Sequence, residues 1–183
     1  SENGLYRFEA ETERESGCGQ IKGFHGQFGM MVRALTYMLS HGSDGLKQVS
    51  EDAVLNANYI LSRLKDDFDA PFEGPCMHEC LLTDKKQKDS GVTTLDMAKG
   101  LIEYGMHPMT VYFPLVVSGA MLIEPTETEN KDALDRFIRV MKKMVADIRD
   151  GSVDKFHSYP QAAPCERLDE VKAAREPKLR WKG

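Results

Sequence analysis

The sequence predicts one small α/β (α+β) layer, in which helices cover a short β-sheet. Three observations predict it. Apolar residues recur at helical spacing in four segments. Three short runs of β-forming residues lie between the second helix and the last, separated by turn signals. The chain has 183 residues, 41% hydrophobic and 29% charged, which suits one soluble domain with a real core.

Two helices are predicted in the first third of the chain. The first covers residues 27–41 and the second covers residues 46–68, because apolar residues recur there every three or four positions. Residues 42–45 read Gly-Ser-Asp-Gly and predict a turn between the helices. The apolar stripe of the first helix consists of Phe28, Met31, Leu35, Met38 and Leu39. That of the second consists of Leu46, Val49, Ala53, Ala57, Ile60, Leu64 and Phe68.

The middle of the chain predicts a strand, a loop and a third helix. Residues 77–82 form the strand candidate, and the hydrophilic run 84–91 follows as a loop. Thr93 and Asp96 have the spacing of a helix start, since a side-chain oxygen there accepts from a free backbone N–H. The helix is expected to end near Gly105.

The last elements are two strands and one long helix. Residues 110–113 and Ala120–Ile123 are rich in β-formers, with a turn expected at 116–119. The helix is expected at about 130–149, with an apolar stripe along one face. That stripe consists of Leu134, Phe137, Ile138, Met141, Val145 and Ile148.

Composition divides the chain and excludes some partners. Residues 1–16 are expected to be a polar arm, 17–150 the domain, and 151–183 an irregular basic tail. The net charge of -5 and the pI near 5.6 argue against nucleic acid as a ligand. No apolar run suits a membrane span and no secretory signal opens the chain, so the expected location is cytoplasmic.

The strand-to-helix corner at 120–132 is the first candidate site. Thr126 and Glu129 have the Thr-x-x-Glu spacing of a capping box, which would make the corner structural. That interpretation leaves Glu124 unexplained, because it ends an apolar strand beside a Pro that fixes the exit direction. A carboxylate there is either solvated or part of a site.

Two further stretches hold candidate residues. If residues 76–80 are extended, Cys76, His78 and Cys80 share a face, which allows zinc, a half-buried structural strand, or a pocket lined by His78 or Glu79. The usual second pair of zinc ligands is missing, so no metal site is predicted. The Gly-rich run 23–29 allows weak anion binding at a helix start, or simply a flexible entry.

Catalytic motifs are missing from the sequence. There is no Gly-x-Ser-x-Gly elbow and no His-Glu-x-x-His pair, and no nucleophile is convincingly paired with a base. The residues alone therefore indicate a helper domain and not a self-sufficient catalyst.

Several stretches nevertheless resemble one family. They are GQIKGFHGQFGMMVRALTYM, GLKQVSEDAVLNANYILSRL, PCMHECLL, TTLDMAKGLIEYGMHPMTVYFPL, MLIEPTETENKDALDRF and the ending PCERLDEVKAAREPKLRW. Over residues 17–182 the chain is similar to the C-terminal part of subunit 2 of glycine dehydrogenase (decarboxylating), the P-protein of the glycine cleavage system.

The resemblance implies a fold and an activity. The fold would be the small C-terminal domain of the type I pyridoxal-phosphate (PLP) transferase fold, packed over the cofactor cleft. The enzyme would release CO2 from glycine, with PLP as the electron sink. It would pass the aminomethyl group to the lipoyl arm of H-protein. The implied partners are P-protein subunit 1, a second copy of subunit 2, and H-protein.

One departure from the family limits this chain. The family's PLP lysine lies in a His-Lys segment followed by glycines, and these 183 residues contain no such segment. We therefore expect no catalytic residue here, no covalently bound PLP, and no activity of the isolated chain.

The resemblance places six residues near the cofactor and substrate cleft. His25 and Gln27 stand where the family usually has Tyr and Asn. The candidates are His25, Gln27, His78, Glu79, Glu124 and Thr126. No Arg stands beside Thr126, so either an Arg from elsewhere or Thr126 with backbone donors would hold the substrate carboxylate.

Two rival interpretations remain. A freestanding interaction module of the same fold predicts a native polypeptide of this size with a specific partner. A metal-binding domain using Cys76, His78 and Cys80 predicts stoichiometric zinc. A domain separated from its large domain should also expose apolar surface and self-associate.

Overall fold

The computed structural model describes residues 23–181. The chain divides into two compact units, 1–44 and 45–183. The expected arm at residues 1–16 lies outside the described residues.

Helix α1 (Phe28–Leu64) passes through both units. It is interrupted at Gly42, whose φ of 65° and ψ of -176° are not helical, so the expected break occurs at one residue. In the unit 1–44 the predicted apolar stripe is exposed; its residues are Phe28, Met31, Leu35, Met38 and Leu39. Among the described residues, no helix is both long and apolar enough to cross a lipid bilayer.

A three-stranded sheet lies in the unit 45–183. Strands β1 (Cys80–Thr83), β2 (Thr110–Val111) and β3 (Ala120–Ile123) lie in the order β1-β3-β2. Both pairings are antiparallel, and Cys80 lies opposite Ile123. The predicted short sheet with helices is therefore confirmed as an α+β arrangement.

Strands β1 and β2 are shorter than predicted, for two different reasons. Residues 77–79 are not strand, because the Asn58 side chain binds the backbone of Cys76 and ties that segment to α1. Strand β2 stops before Tyr112, whose φ of 57° lies in the left-handed region. The turn expected at 116–119 is confirmed.

Helix α2 (Thr94–Glu103) begins with the predicted capping box. Thr93 accepts a hydrogen bond from the N–H of Asp96, and the Asp96 carboxylate accepts from the N–H of Thr93. The box thus satisfies two backbone N–H donors at the helix start. A 3-10 helix (Lys88–Ser90) precedes α2. Gly105, with a φ of 68°, follows the end of α2.

Helix α3 (Lys131–Arg149) begins later than its predicted cap. The proposed Thr126–Glu129 box is wrong, because residues 126–128 form a turn before the helix. The cap is Asn130, whose side-chain oxygen accepts from the N–H of Ala133 at 2.9 Å.

The core lies between α1, α3 and the sheet. The predicted stripe of α3 is buried, apart from half-buried Phe137, and the stripe of α1 is fully buried only from Ala57 onwards. The largest fully buried side chains of the core are Ile60, Leu64, Phe68, Leu82, Met97, Leu101, Met121, Met141, Met144 and Phe156. Burying one such side chain stabilises a fold by about 1.5–3 kcal/mol.

The segment expected as an irregular tail is partly ordered on the core. It contains α4 (Asp154–Ser158) and α5 (Glu170–Arg175). Phe156 and Tyr159 are buried, so apolar packing fixes the first part of the segment.

Gly119 joins the sheet to the start of α2. The Thr94 hydroxyl donates to the Gly119 carbonyl at 2.7 Å, and the Thr94 N–H donates to the Asp84 carboxylate at 2.9 Å. Gly119 has a φ of 66°, and a Cβ there would overlap the Asp84 carboxylate. Only glycine fits this position.

Candidate functional site

Three of the predicted site residues meet at one edge of the β1–β3 pair. Cys80 lies opposite Ile123, so Glu79 and Glu124 occupy the next opposing positions beyond the strands. His78 Nε2 lies 3.7 Å from Glu79 Oε1 and 3.8 Å from Glu124 Oε1. We call His78, Glu79 and Glu124 the rim cluster.

The rim cluster is exposed and is not closed by hydrogen bonds. Its side chains are 54%, 37% and 50% exposed for His78, Glu79 and Glu124. Both distances from the imidazole exceed hydrogen-bond length. Two like charges that face each other across paired strands repel. The cluster is therefore poised to take a positively charged group.

Glu124 also lines a cavity of about 330 Å³. The wall is mainly apolar, with a few polar groups, as in many small-molecule sites. Arg136 of α3 is one of those groups, and its Nη2 donates to the Tyr104 carbonyl at 3.1 Å. Arg136 was not named from the sequence, where the resemblance left an arginine from elsewhere or Thr126 with backbone donors as the alternatives.

Thr126 lies two residues after Glu124, in the turn before α3. Its φ is 22°, which is unusual for a β-branched residue. Its hydroxyl lies 2.9 Å from the hydroxyl of Thr128. Backbone strain of this kind is often kept at functional sites.

Two asparagines of α1 hold the segments that carry the site. Asn56 Nδ2 donates to the carbonyls of Thr126 at 2.9 Å and Glu129 at 3.1 Å. Asn58 donates to the Cys76 carbonyl at 2.7 Å and accepts from its N–H at 2.9 Å.

These asparagines belong to the LNANY motif, and sequence reasoning did not assign them a role. Two Asn residues inside one helix were the available signal, because Asn is a poor helix former. Side chains two positions apart on a helix point in different directions, which suits two separate loops.

Two of the remaining predicted residues precede the break in α1. His25 and Gln27 lie in the unit 1–44 and are exposed. The anion site at 23–29 stays a prediction.

The cysteine-based zinc set is not assembled. Among residues 23–181, the His, Cys, Asp and Glu atoms that converge are those of His78, Glu79 and Glu124. Cys80 is buried, and burial raises the pKa of its thiol to about 12; burial also raises the pKa of the Cys76 thiol. A cysteine binds a metal ion as its thiolate, so the Cys76 and Cys80 thiols are poorly suited to this role.

A second ionic cluster, at the start of α2, is joined by hydrogen bonds. The Asp96 carboxylate accepts from the Thr93 hydroxyl at 2.7 Å and from the Arg167 guanidinium. Burial opposes ionisation of Asp96, but the hydrogen bonds from Thr93 and Arg167 outweigh it and hold its pKa below the ordinary value. We call Thr93, Asp96 and Arg167 the cap cluster.

Comparisons with known proteins agree with the sequence resemblance. Residues 49–165 match the family model described as glycine dehydrogenase, C-terminal domain. A protein of Caulobacter vibrioides named probable glycine dehydrogenase (decarboxylating) subunit 2 is 55% identical over 97% of this chain and 34% of its own length. One of the same name from Staphylococcus saprophyticus is 47% identical over 98% of this chain and 36% of its own length.

A solved structure has a similar fold. It is the crystal structure of glycine decarboxylase (P-protein) of the glycine cleavage system in inhibitor-bound form. The TM-score is 0.55 at 18% identity, covering 67% of this chain and 27% of that one. The chain spans about a third of the length of the curated relatives it matches. On the family match, this chain belongs to the glycine dehydrogenase family, as a C-terminal domain.

Proposed function

We propose that this chain is the C-terminal domain of a PLP-dependent glycine decarboxylase subunit. The complete enzyme releases CO2 from glycine and passes the aminomethyl group to the lipoyl arm of H-protein. The supporting observation is the family match over residues 49–165, together with relatives named as subunit 2 of that enzyme. The same names support a partner subunit 1.

The residues present do not fit covalent PLP binding by this chain alone. PLP enzymes of this kind need a lysine that points into the cofactor site. Within residues 23–181, no lysine lines the cavity, whose charged groups include Glu124, Glu129 and Arg136. The lysine is thus proposed to come from the longer enzyme, and the isolated chain is expected to be inactive.

This chain's contribution is proposed to be the positioning of glycine. Arg136 has five N–H donors, of which one is used on Tyr104, so others are left to face a carboxylate in the cavity. The Thr126 hydroxyl lies two residues after Glu124 and 2.9 Å from the Thr128 hydroxyl, and we propose it as a second donor from outside the cavity lining. Holding the substrate in one orientation lowers the barrier without any chemistry by these side chains.

The positioning role is tested by kinetics of the full-length enzyme. Arg136→Met and Thr126→Val should each raise the Michaelis constant for glycine. Arg139→Met is the matched control, because Arg139 lies on the same helix and does not line the cavity. An unchanged Michaelis constant in both variants would remove these residues from the proposal.

The assignment itself is tested on the native polypeptide. An antibody raised against this chain should capture a polypeptide much larger than 20.6 kDa, with PLP absorbance. With subunit 1 and H-protein it should exchange the glycine carboxyl group with CO2. A 20.6-kDa polypeptide without exchange would instead favour the freestanding interaction module.

A further inference from the structure

We propose that the rim cluster is a binding site for a divalent transition metal of the zinc class, with His78 Nε2 and one carboxylate oxygen each from Glu79 and Glu124 as ligands. Three protein ligands leave a fourth position for water or another group. This inference does not depend on the proposed enzymatic function.

The spacing of the three atoms suits one ion. Zinc bonds to nitrogen and oxygen are about 2.0–2.2 Å long, so tetrahedral ligands lie roughly 3.3–3.6 Å apart. The imidazole nitrogen lies 3.7 Å and 3.8 Å from the two carboxylate oxygens, and all three atoms lie within 4.8 Å of one another. Since the side chains are half exposed, small rotations close the remaining gap.

The charges also favour a cation at this place. Glu79 and Glu124 face each other, and among the described residues neither forms an ion pair with a lysine or arginine. A divalent ion between the carboxylates replaces their repulsion by attraction. An imidazole nitrogen supplies the remaining lone pair, and histidine is the commonest metal ligand in proteins.

The backbone that carries the ligands is held in place. The β1–β3 pairing fixes Glu124 opposite Glu79, and Asn58 fixes the segment before His78 through both backbone groups of Cys76. Pro125 restricts the chain directly after Glu124. Ligands on a fixed backbone lose less entropy when they bind an ion.

The ligand types select the class of metal. Mg²⁺ and Ca²⁺ prefer oxygen ligands alone, whereas imidazole suits zinc, copper, iron and nickel. The buried Cys80 thiol, with its raised pKa, is not part of the set. The site therefore differs from the cysteine-based site that the sequence suggested.

The experiment is calorimetric titration of the metal-stripped 183-residue chain with zinc chloride. We expect one saturable site with a dissociation constant below about 100 µM, not displaced by excess Mg²⁺. His78→Ala, Glu79→Gln and Glu124→Gln should each weaken binding more than about tenfold. Circular dichroism of each variant confirms that it is folded.

Two controls make the result specific. His157→Ala removes an exposed imidazole outside the cluster, which contacts the Gly91 carbonyl, and should leave affinity unchanged. Cys76→Ser should also leave it unchanged. The Co²⁺-loaded chain should show d–d absorption without a thiolate charge-transfer band.

Three results would overturn the site. They are no saturable binding, equal affinity in folded His78→Ala, or a loss confined to Cys76→Ser. None of these readouts uses glycine turnover, so the assignment to the decarboxylase stands or falls separately.

Discussion

The cap cluster contains one carboxylate and the rim cluster contains two, and the two clusters satisfy these groups differently. In the cap cluster the Asp96 carboxylate is buried and accepts hydrogen bonds from Thr93 and Arg167. In the rim cluster Glu79 and Glu124 are partly exposed, and the His78 imidazole lies near both, beyond hydrogen-bond distance.

The difference separates a structural role from a binding role. A buried carboxylate without its partners would destabilise the fold, so the cap cluster is complete within the chain. Exposed carboxylates remain hydrated when unpaired, so the rim cluster tolerates an incomplete set of contacts. Such a set is available to a ligand, and variants of the two clusters should therefore behave in opposite ways.

The largest effect is expected for Asp96→Ala. The change removes the capping carboxylate and leaves the Arg167 guanidinium without its carboxylate partner, which should lower the free energy of unfolding by about 3 kcal/mol. Urea denaturation measures it. Asp132→Ala, an exposed acid in the first turn of α3, is the control and should cost less than about 0.5 kcal/mol. Equal losses would show that the cap cluster has no special role.

The effect of Arg167→Ala should depend on pH. The folded-state pKa of Asp96 lies below the ordinary 3.8, so its ionic stabilisation is present above 3.8 and is lost as the pH falls through the folded-state pKa. Near neutral pH the variant should lose about 2–3 kcal/mol of unfolding free energy.

In strong acid this loss should shrink but not vanish. Arg167 also donates to the carbonyls of Tyr159 at 2.9 Å and Phe156 at 2.7 Å, and carbonyls do not titrate. Thermal melts of both proteins across the acid range test the trend. A gap that widens towards low pH would contradict the assigned direction.

A smaller loss of stability is expected for Asn58→Ala, because Asn58 holds the segment that precedes the rim cluster. Removing both hydrogen bonds to Cys76 should lower the free energy of unfolding by about 1–2 kcal/mol. It should also weaken zinc binding, although Asn58 is not a ligand. Ser62→Ala, on the same helix with an exposed hydroxyl, should do neither. Unchanged zinc affinity in Asn58→Ala would show that the two Asn58–Cys76 hydrogen bonds do not position the ligands.

The smallest effect, and one of opposite sign, is expected for Glu124→Gln without metal. Loss of one of two facing charges should raise the free energy of unfolding by up to about 0.5 kcal/mol. Glu51→Gln is the matched control, because its exposed pair with Lys47 should make that change slightly destabilising. A clear loss of stability in Glu124→Gln would mean that the rim cluster is a structural network.

Local patterns accounted for much of the fold. The Thr93–Asp96 box and the stripe of α3 depend on neighbours three or four positions apart, which the sequence displays directly. The capping-box spacing that held at Thr93 and Asp96 gave a wrong prediction at Thr126 and Glu129. Their spacing was right, but a turn separates them from the helix, and Asn130 caps it.

Contacts across long stretches of chain were beyond such rules. Arg167 and Asp96 are 71 positions apart, so no local sequence pattern predicts their ion pair. His78, Glu79 and Glu124 were all named from the sequence, and the resemblance placed them near one cleft. Only the metal alternative grouped His78 with Cys76 and Cys80. That alternative assumed an extended strand, which the hydrogen bonds from Asn58 to Cys76 prevent. That Glu79 lies opposite Glu124 could be predicted only from the register of β1 and β3, which the sequence does not display.

The placement of Asn56 and Asn58 has a consequence for motion. One turn of α1 holds both the segment before His78 and the turn after Glu124. A displacement of that turn would carry both segments together, so the rim cluster should move as a rigid body and keep its internal distances. Amide hydrogen exchange in the two segments should then slow or quicken in parallel, because they share a single opening event.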